Sequence, residues 1–369
     1  MRVCVVGAGF SGAVIARELA ESGTNCLVVD ERGHLAGNCH TERDSDSGIM
    51  IHSYGPHIFH TADQDVWEYV NRFGDFMPFR HQVKATVNGK VYSLPINLHT
   101  INQFFGTCLS PQEAKDFIDQ KVQRGMIEPK SFEDQALRFV GKEIYEEFFR
   151  GYTIKQWGVQ PKDLPASILK RLPLRFSYDD NYFDHPFQGM PKDGYTKIVK
   201  NILQHEKIEL RLNCAFEELD EEFEHIFYSG PLDRYFRYDL GRLTYRTLDF
   251  EEIRTVGDFQ GVAVMNYPDD RIPFTRITEH RHFAPWEERS DKQLTVVYRE
   301  YSREQKPGDI PYYPVRLLND KKLLSRYQER AKMEMSTTFV GRLGTYQYID
   351  MDTTIGNSLE ESKNYLARK

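Results

Sequence analysis

The 369-residue chain contains no run of about 18 apolar residues, which excludes a membrane-spanning helix. No basic, apolar leader precedes the first strand-forming residues, which begin at position 2, and a cytoplasmic location is the expectation. Cysteine is scarce. The five thiols, Cys4, Cys26, Cys39, Cys108 and Cys214, are odd in number, scattered and without a CxxC pair, which suggests neither a disulfide framework nor a zinc site. Cys4 and Cys26 fall in predicted strands and read as inert core thiols. Excess positive charge is also missing. With 48 basic against 55 acidic residues, the net charge of −7 argues against general nucleic-acid binding, so a polyanionic ligand has to be met by a local cluster of arginines. Internal repeats, low-complexity tracts and long charge runs are absent.

What is present supports real cores. Hydrophobic content is 40%, and the length exceeds one ordinary domain, so two or three lobes are expected. Tyr (21) is nearly as common as Phe (24), a balance that suits polar ligand contacts and amphipathic packing equally. The most informative stretch is Arg2-Val-Cys-Val-Val-Gly-Ala-Gly-Phe-Ser-Gly12, followed by a helix-forming run from Ala13 to Ala20. It reads as the strand, tight turn and helix opening of a dinucleotide-binding βαβ unit. Gly7 permits the turn, Gly9 lets a pyrophosphate approach the backbone, and Gly12 allows close helix–strand packing. Asn25 to Asp30 reads as the second strand, whose terminal acid is placed to bond a ribose hydroxyl.

Further along, Gln64 to Arg72 is helical in pattern, with Thr61 or Asp63 as cap. Lys84 to Ser93 reads as a hairpin around Asn88-Gly89. Residues 97–150 carry helical periodicity with starts at Asn97, Ser110 and Ser131, and Ser110-Pro-Gln-Glu113 is capping-box-like. Tyr195 to His205 is read as helix, Ile208 to Leu212 and His225 to Ser229 as strands. Short alternating strands between 240 and 300 suggest an antiparallel second layer. Lys321 to Glu334 is read as helical, and a last helix begins near Asp352 with its amides available to a cofactor. A nucleotide domain left and re-entered twice is typical of FAD-binding folds.

Several ordered segments resemble the UDP-galactopyranose mutase family over essentially the whole chain. The most specific is Gly151-Tyr-Thr-Ile-Lys-Gln-Trp-Gly158; others are Tyr54 to Thr61, Arg171 to Phe176, Asn181 to Phe183, Tyr245-Arg246, Thr275 to Ile277, Pro311 to Pro314, Gly341 to Leu343 and Tyr348 to Asp350. The resemblance implies an isomerase, an intramolecular transferase that interconverts UDP-galactopyranose and UDP-galactofuranose for cell-surface polysaccharide synthesis. It implies FAD that must be reduced, its N5 acting as nucleophile at the anomeric carbon while the nucleoside diphosphate departs. The expected fold class is α/β. A discontinuous Rossmann-like FAD domain (1–75, 190–238 and 315–369) is joined by a helical substrate lobe (97–165) and an antiparallel sheet domain (76–96, 166–189 and 239–314).

The resemblance also assigns residues. Arg171 and Arg276 would hold the diphosphate, with His60 close to the flavin ring as a third catalytic candidate. Tyr313, Tyr348 and Tyr182 would contact phosphates and sugar. Phe148, Tyr152, Thr153 and Trp157 would form the uracil side of the pocket, with His81, Arg246 and Asn266 as polar contacts. Cofactor contacts would come from Gly7, Gly9, Ser11, Gly12, Asp30, Glu31, Gly37, Asn38, His57, Ile58, Arg342, Asp350, Met351, Asp352, Thr353, Thr354, Ile355 and Gly356. Ala36 stands where the family has glycine and would carry strain if that position needs a positive φ. His52, His57 and His60 lack accompanying acids or thiols in a zinc-ligand arrangement, and no metal is expected.

Alternatives stay open at this level. Relatives acting on UDP-N-acetylgalactosamine or a TDP-deoxysugar share the framework, and His81 occupies a position where some members carry an amide. An amine-oxidase-like flavin oxidase would explain the terminal segments but leave the arginines and tyrosines without purpose. A non-catalytic dinucleotide sensor would have no use for so large a substrate lobe. No second dinucleotide fingerprint is found, so reducing equivalents are expected from an external donor such as NAD(P)H or a reductase. A UDP-sugar is the expected substrate, with neither nucleic acid nor membrane as partner, and a homodimer is compatible with the sequence.

Overall fold

The computed structural model describes residues 2–122, 128–166, 168, 174–289, 292–315 and 321–369. Arg171 lies outside the described residues. Five strands form an all-parallel sheet in the order Ile208–Leu212, Cys26–Asp30, Val3–Val6, His225–Tyr228, Thr337–Phe339. The inner strands are apolar apart from Asp30 and His225 at their ends, because both faces of the parallel sheet are covered. One covering helix, Phe10–Glu21, buries nine of its residues and packs on the C-terminal helix Met351–Arg368. Chain segments far apart in sequence thus meet around one dinucleotide turn.

A seven-stranded sheet forms the second layer, in the order Tyr313–Pro314, Tyr245–Val256, Leu294–Glu304, Arg276–Glu279, Val264–Asn266, Val83–Val87, Lys90–Leu94. Its pairings are antiparallel apart from Val264–Asn266 with Val83–Val87, which is parallel because the hairpin joins from a distant part of the chain. The alternation of single strands could not reveal that junction. Asn88 (φ 50°) and Gly89 (φ 74°) make the expected hairpin turn. A three-stranded sheet of Phe59–Thr61, Phe187–Pro191 and Phe76–Pro78 bridges the layers.

Between hairpin and motif lies the helical lobe. Its caps match the sequence reading. Asn97 accepts from Thr100 N, while Ser110/Glu113 and Ser131/Asp134 form reciprocal capping boxes. Asp63, not Thr61, caps Gln64–Asn71. Tyr145–Arg150 is a π-helical turn leading directly into the α-helix Gly151–Trp157, a break that apolar periodicity did not signal. Among the described residues, no helix is long and apolar enough to cross a membrane.

Candidate active site

A cavity of about 510 Å³ opens at the carboxyl ends of the parallel strands, where ligands of such sheets bind. Gly7, Gly9, Ser11, Asp30, Glu31, Gly37, Asn38, His57, Arg342, Met351 and Thr354 line it. The residues fit a dinucleotide. Gly7 (φ 104°) makes the turn, and a side chain added at Gly9 would point at the Gly37 backbone, 3.9 Å away. Ser11 Oγ is buried and, among the described residues, has no hydrogen-bond partner, as expected of a group that awaits a phosphate oxygen. Gly12 does not line the cavity. It lets the helix approach the turn, as its place in the motif implied. Ala36 has φ 72° and is buried, so the left-handed strain inferred from the sequence is real and costs roughly 1–2 kcal/mol.

Other expected cofactor residues divide. The Asp30 carboxylate already accepts from Ala8 N (2.8 Å) and Arg32 N (2.9 Å), so it braces the glycine turn with only its remaining lone pairs left for a ribose. Glu31 pairs with Arg234. Ile58 and Ile355 are core residues, and Asp350 occupies the N-cap position of the last helix without a side-chain cap bond to its amides. Asp352, Thr353 and Gly356 border a separate cavity of about 370 Å³ with Asp63 and His185. Sequence reasoning missed the turns following two of the parallel strands, Cys214 to Glu217 and Ser229 to Pro231, which also line the main cavity. Their strand-then-turn pattern was the available signal.

The motif helix explains itself residue by residue. Gly151 lies against the Pro268 carbonyl, with which any Cβ would collide. Tyr152 faces the Arg276 charge, and Thr153 and Gln156 are buried. Gly158 (φ 71°) ends the helix beneath the Arg246 guanidinium, where a Cβ would again collide. Arg246 itself bonds backbone: Nε donates to Gln156 O (3.0 Å) and Nη2 to Lys155 O (3.2 Å). Arg246, expected from sequence at the substrate, thus holds the helix C-terminus through Nε and Nη2. Phe148 is likewise 4% exposed and packs edge-on against Tyr92 and Phe104, so little ring face is left for a base.

Arg276 sits at the centre of the remaining cluster. Cross-strand register places Asn266, Arg276 and Glu300 side by side on one face of the sheet. Arg276 Nε donates to Glu300 Oε2 at 2.8 Å, and the Arg276 side chain keeps 21% of its surface accessible while Glu300 keeps 1%. Burial opposes the guanidinium charge, yet the Glu300 carboxylate leaves its pKa raised. Glu300 was missed by sequence reasoning, since a lone Glu in a strand carries no motif. Tyr313, Tyr348 and Trp157 form a triangle of rings 5.4–6.2 Å apart, with the Arg342 guanidinium 5.7 and 5.1 Å from the two tyrosine rings. Burial pushes the Tyr152 and Tyr313 hydroxyls up, so both remain donors at neutral pH. Cations and hydroxyl donors converging beside the dinucleotide cavity make a seat for an anion.

Histidines border the same region. His60 stacks on Phe183 at 3.7 Å, and its Nδ1 lies 2.8 Å from His185 Nδ1. Tyr182 N donates to the His81 carbonyl, and among the described residues His81 Nδ1 and Asn266 Oδ1 are buried without a partner. Burial, with nearby Arg342 and Arg276, lowers His57 to about 4; burial, with Arg276 and His60, lowers His81 to about 3. Burial also lowers His280 to about 3. All three are neutral when folded, whereas the unfolded chain takes up protons near pH 6.5. The unfolded state therefore binds more protons between that pH and the folded values, and stability falls on acidification. We expect the melting temperature to drop steadily from pH 6.5 to 4.5, less so in His280→Gln. Equal profiles for the two proteins, or a flat one, would refute this.

Comparison with known proteins bears on the same residues. A family model described as UDP-galactopyranose mutase matches residues 147–348, and one described as an NAD(P)-binding Rossmann-like domain matches residues 5–73. A “Probable UDP-galactopyranose mutase” of Klebsiella pneumoniae is 55% identical over 366 residues, covering 99% of this chain and 94% of that protein. A dTDP-fucopyranose mutase of Escherichia coli is 49% identical over 373 residues, covering 99% and 98%. The crystal structure of a reduced UDP-galactopyranose mutase superposes with a TM-score of 0.75 over 100% of this chain and 94% of that one, at 18% identity.

Proposed function

The chain belongs to the UDP-galactopyranose mutase family, and from that premise we propose that it interconverts UDP-galactopyranose and UDP-galactofuranose with reduced FAD. The observation that carries the proposal is Arg276, a partly accessible guanidinium held by buried Glu300 beside the dinucleotide cavity. When bound, reduced FAD supplies an electron-rich N5 to the anomeric carbon.

The protein's own part is to bind, orient and stabilise charge. Arg276 receives the departing diphosphate, whose negative charge grows as the glycosidic bond breaks, so the contact strengthens toward the transition state. Tyr313 and Tyr348 donate to the same phosphates, their rings steered by Arg342. Arg171 is proposed as a second diphosphate contact. Tyr152, Trp157 and Tyr182 line the substrate side, and the unpartnered His81 Nδ1 and Asn266 Oδ1 await sugar or base hydrogen bonds. His57 and His60 border the flavin, His57 as a neutral ring. Reducing equivalents come from an external NAD(P)H or reductase, and the enzyme works in the cytosol, where sugar nucleotides are made.

The E. coli relative supports a second reading, a mutase of a dTDP-deoxysugar, since 49% identity spans the full length of both chains. Dithionite-reduced enzyme should convert UDP-galactofuranose to UDP-galactopyranose, while the oxidised enzyme is nearly inactive. Equal turnover in both redox states would overturn the role of reduced flavin. Turnover of dTDP-fucopyranose in place of the UDP-sugar would establish the second reading.

A further inference from the structure

Lys155 is the charged residue of the motif, and the proposed chemistry leaves it unused. Its Nζ lies among four main-chain carbonyls, Tyr267 O (2.5 Å), Asp269 O (2.7 Å), Ile272 O (2.9 Å) and Phe274 O (3.0 Å). An ammonium has three protons, so four acceptors overfill it and bind it as a compact charge rather than as a set of separate bonds. All four carbonyls belong to the connection between Val264–Asn266 and Arg276–Glu279. Carbonyls converging on one point repel each other unless a cation sits among them, as in carbonyl-lined ion sites.

The two ends of this loop are closed by Tyr267 N donating to Thr275 O (2.9 Å), and Thr275 N donates to Glu300 O (2.8 Å). Arg276 follows immediately. On the other side, Lys155 shares its helix with Tyr152 and with Gly151, which rests on Pro268 of the same loop. Arg246 grips the helix's last carbonyls. We propose that Lys155 is a positioning residue whose ammonium organises residues 267–274 and thereby fixes Arg276 against Tyr152. The ammonium touches no substrate. It sets the spacing between two groups that do, and to that extent the inference rests on the function proposed above.

The test uses the reduced full-length enzyme. Lys155→Met keeps the aliphatic stem and removes the charge, and is expected to lose at least about tenfold in kcat/KM, mostly as a raised KM with weakened UDP binding. Lys155→Ala should show a similar loss, and n-propylammonium, but not n-propanol, should restore activity severalfold by refilling the carbonyl ring. Flavin absorbance and melting temperature report whether each variant is folded. A loss smaller than tenfold in Lys155→Met, or an alanine variant indifferent to the amine, overturns the proposal. A crystal structure of Lys155→Met gives a readout independent of turnover: residues 267–274 displaced if the ammonium organises them, unchanged if it does not. A wild-type enzyme inactive on sugar nucleotides would defeat the proposed function and leave that structural result standing.

Discussion

Replacing Arg276 by alanine is expected to lower kcat/KM by a factor of about 100, equivalent to roughly 2.7 kcal/mol of lost transition-state stabilisation. A charge-assisted contact to a leaving diphosphate contributes on the order of 1.5–3 kcal/mol, so one arginine accounts for the effect. The same change strands Glu300, which is 1% exposed and would keep a buried carboxylate without its cation. Breaking such a pair costs on the order of 3–5 kcal/mol of stability. Activity and stability must therefore be read apart. The double variant Arg276→Ala/Glu300→Gln removes the stranded charge and should regain much of the melting temperature without regaining turnover. If turnover returns along with stability, Arg276 is structural and the diphosphate assignment fails.

The second large effect concerns the glycine turn. Gly12→Ala should yield protein with little or no bound flavin, a loss of affinity of at least about 100-fold, and a lowered melting temperature. A Cβ at Gly12 would collide with the Gly7 carbonyl and lie 3.0 Å from Val5 Cγ1, so the helix must lift from the strand and spread the amides aimed at the pyrophosphate. Gly9→Ala provides the contrast. Its φ is ordinary at −83°, and the nearest neighbours of an added Cβ are 3.9 Å away, so the fold should tolerate it. The methyl would nevertheless occupy the space the pyrophosphate needs. Gly9→Ala should thus melt like the parent chain without cofactor, yet bind flavin weakly. Absorbance at the flavin bands and melting curves with and without added FAD measure both outcomes. Tight flavin binding by Gly12→Ala would remove the packing argument.

Much of this was legible in the chain, and particular residues show why. Ser110, Ser131, Asn97 and Asp63 start helices through bonds to amides two or three positions away, a local chemistry that sequence spacing displays directly. Asn88-Gly89 reverses a hairpin for the same reason. Ala36 could be suspected of strain because the family that the sequence resembles has glycine there. Other residues carried no such mark. That Arg246 holds the Gln156 carbonyl, 90 positions away, no spacing could tell. Phe148 looked like a platform for a base until its surroundings proved to be other aromatics. Glu300 became visible only when a strand register set it opposite Arg276.

Composition, the glycine turn and periodicity by themselves determined an α/β nucleotide-binding chain with an inserted helical lobe, because backbone geometry and capping depend on near neighbours. Tertiary structure alone decided which arginine pairs with a buried glutamate and which holds a helix end, and it alone gathered four carbonyls around Lys155. Guanidinium and ammonium groups have the same chemistry wherever they stand. Their roles follow from which distant carbonyls and carboxylates the fold brings within about 3 Å of them.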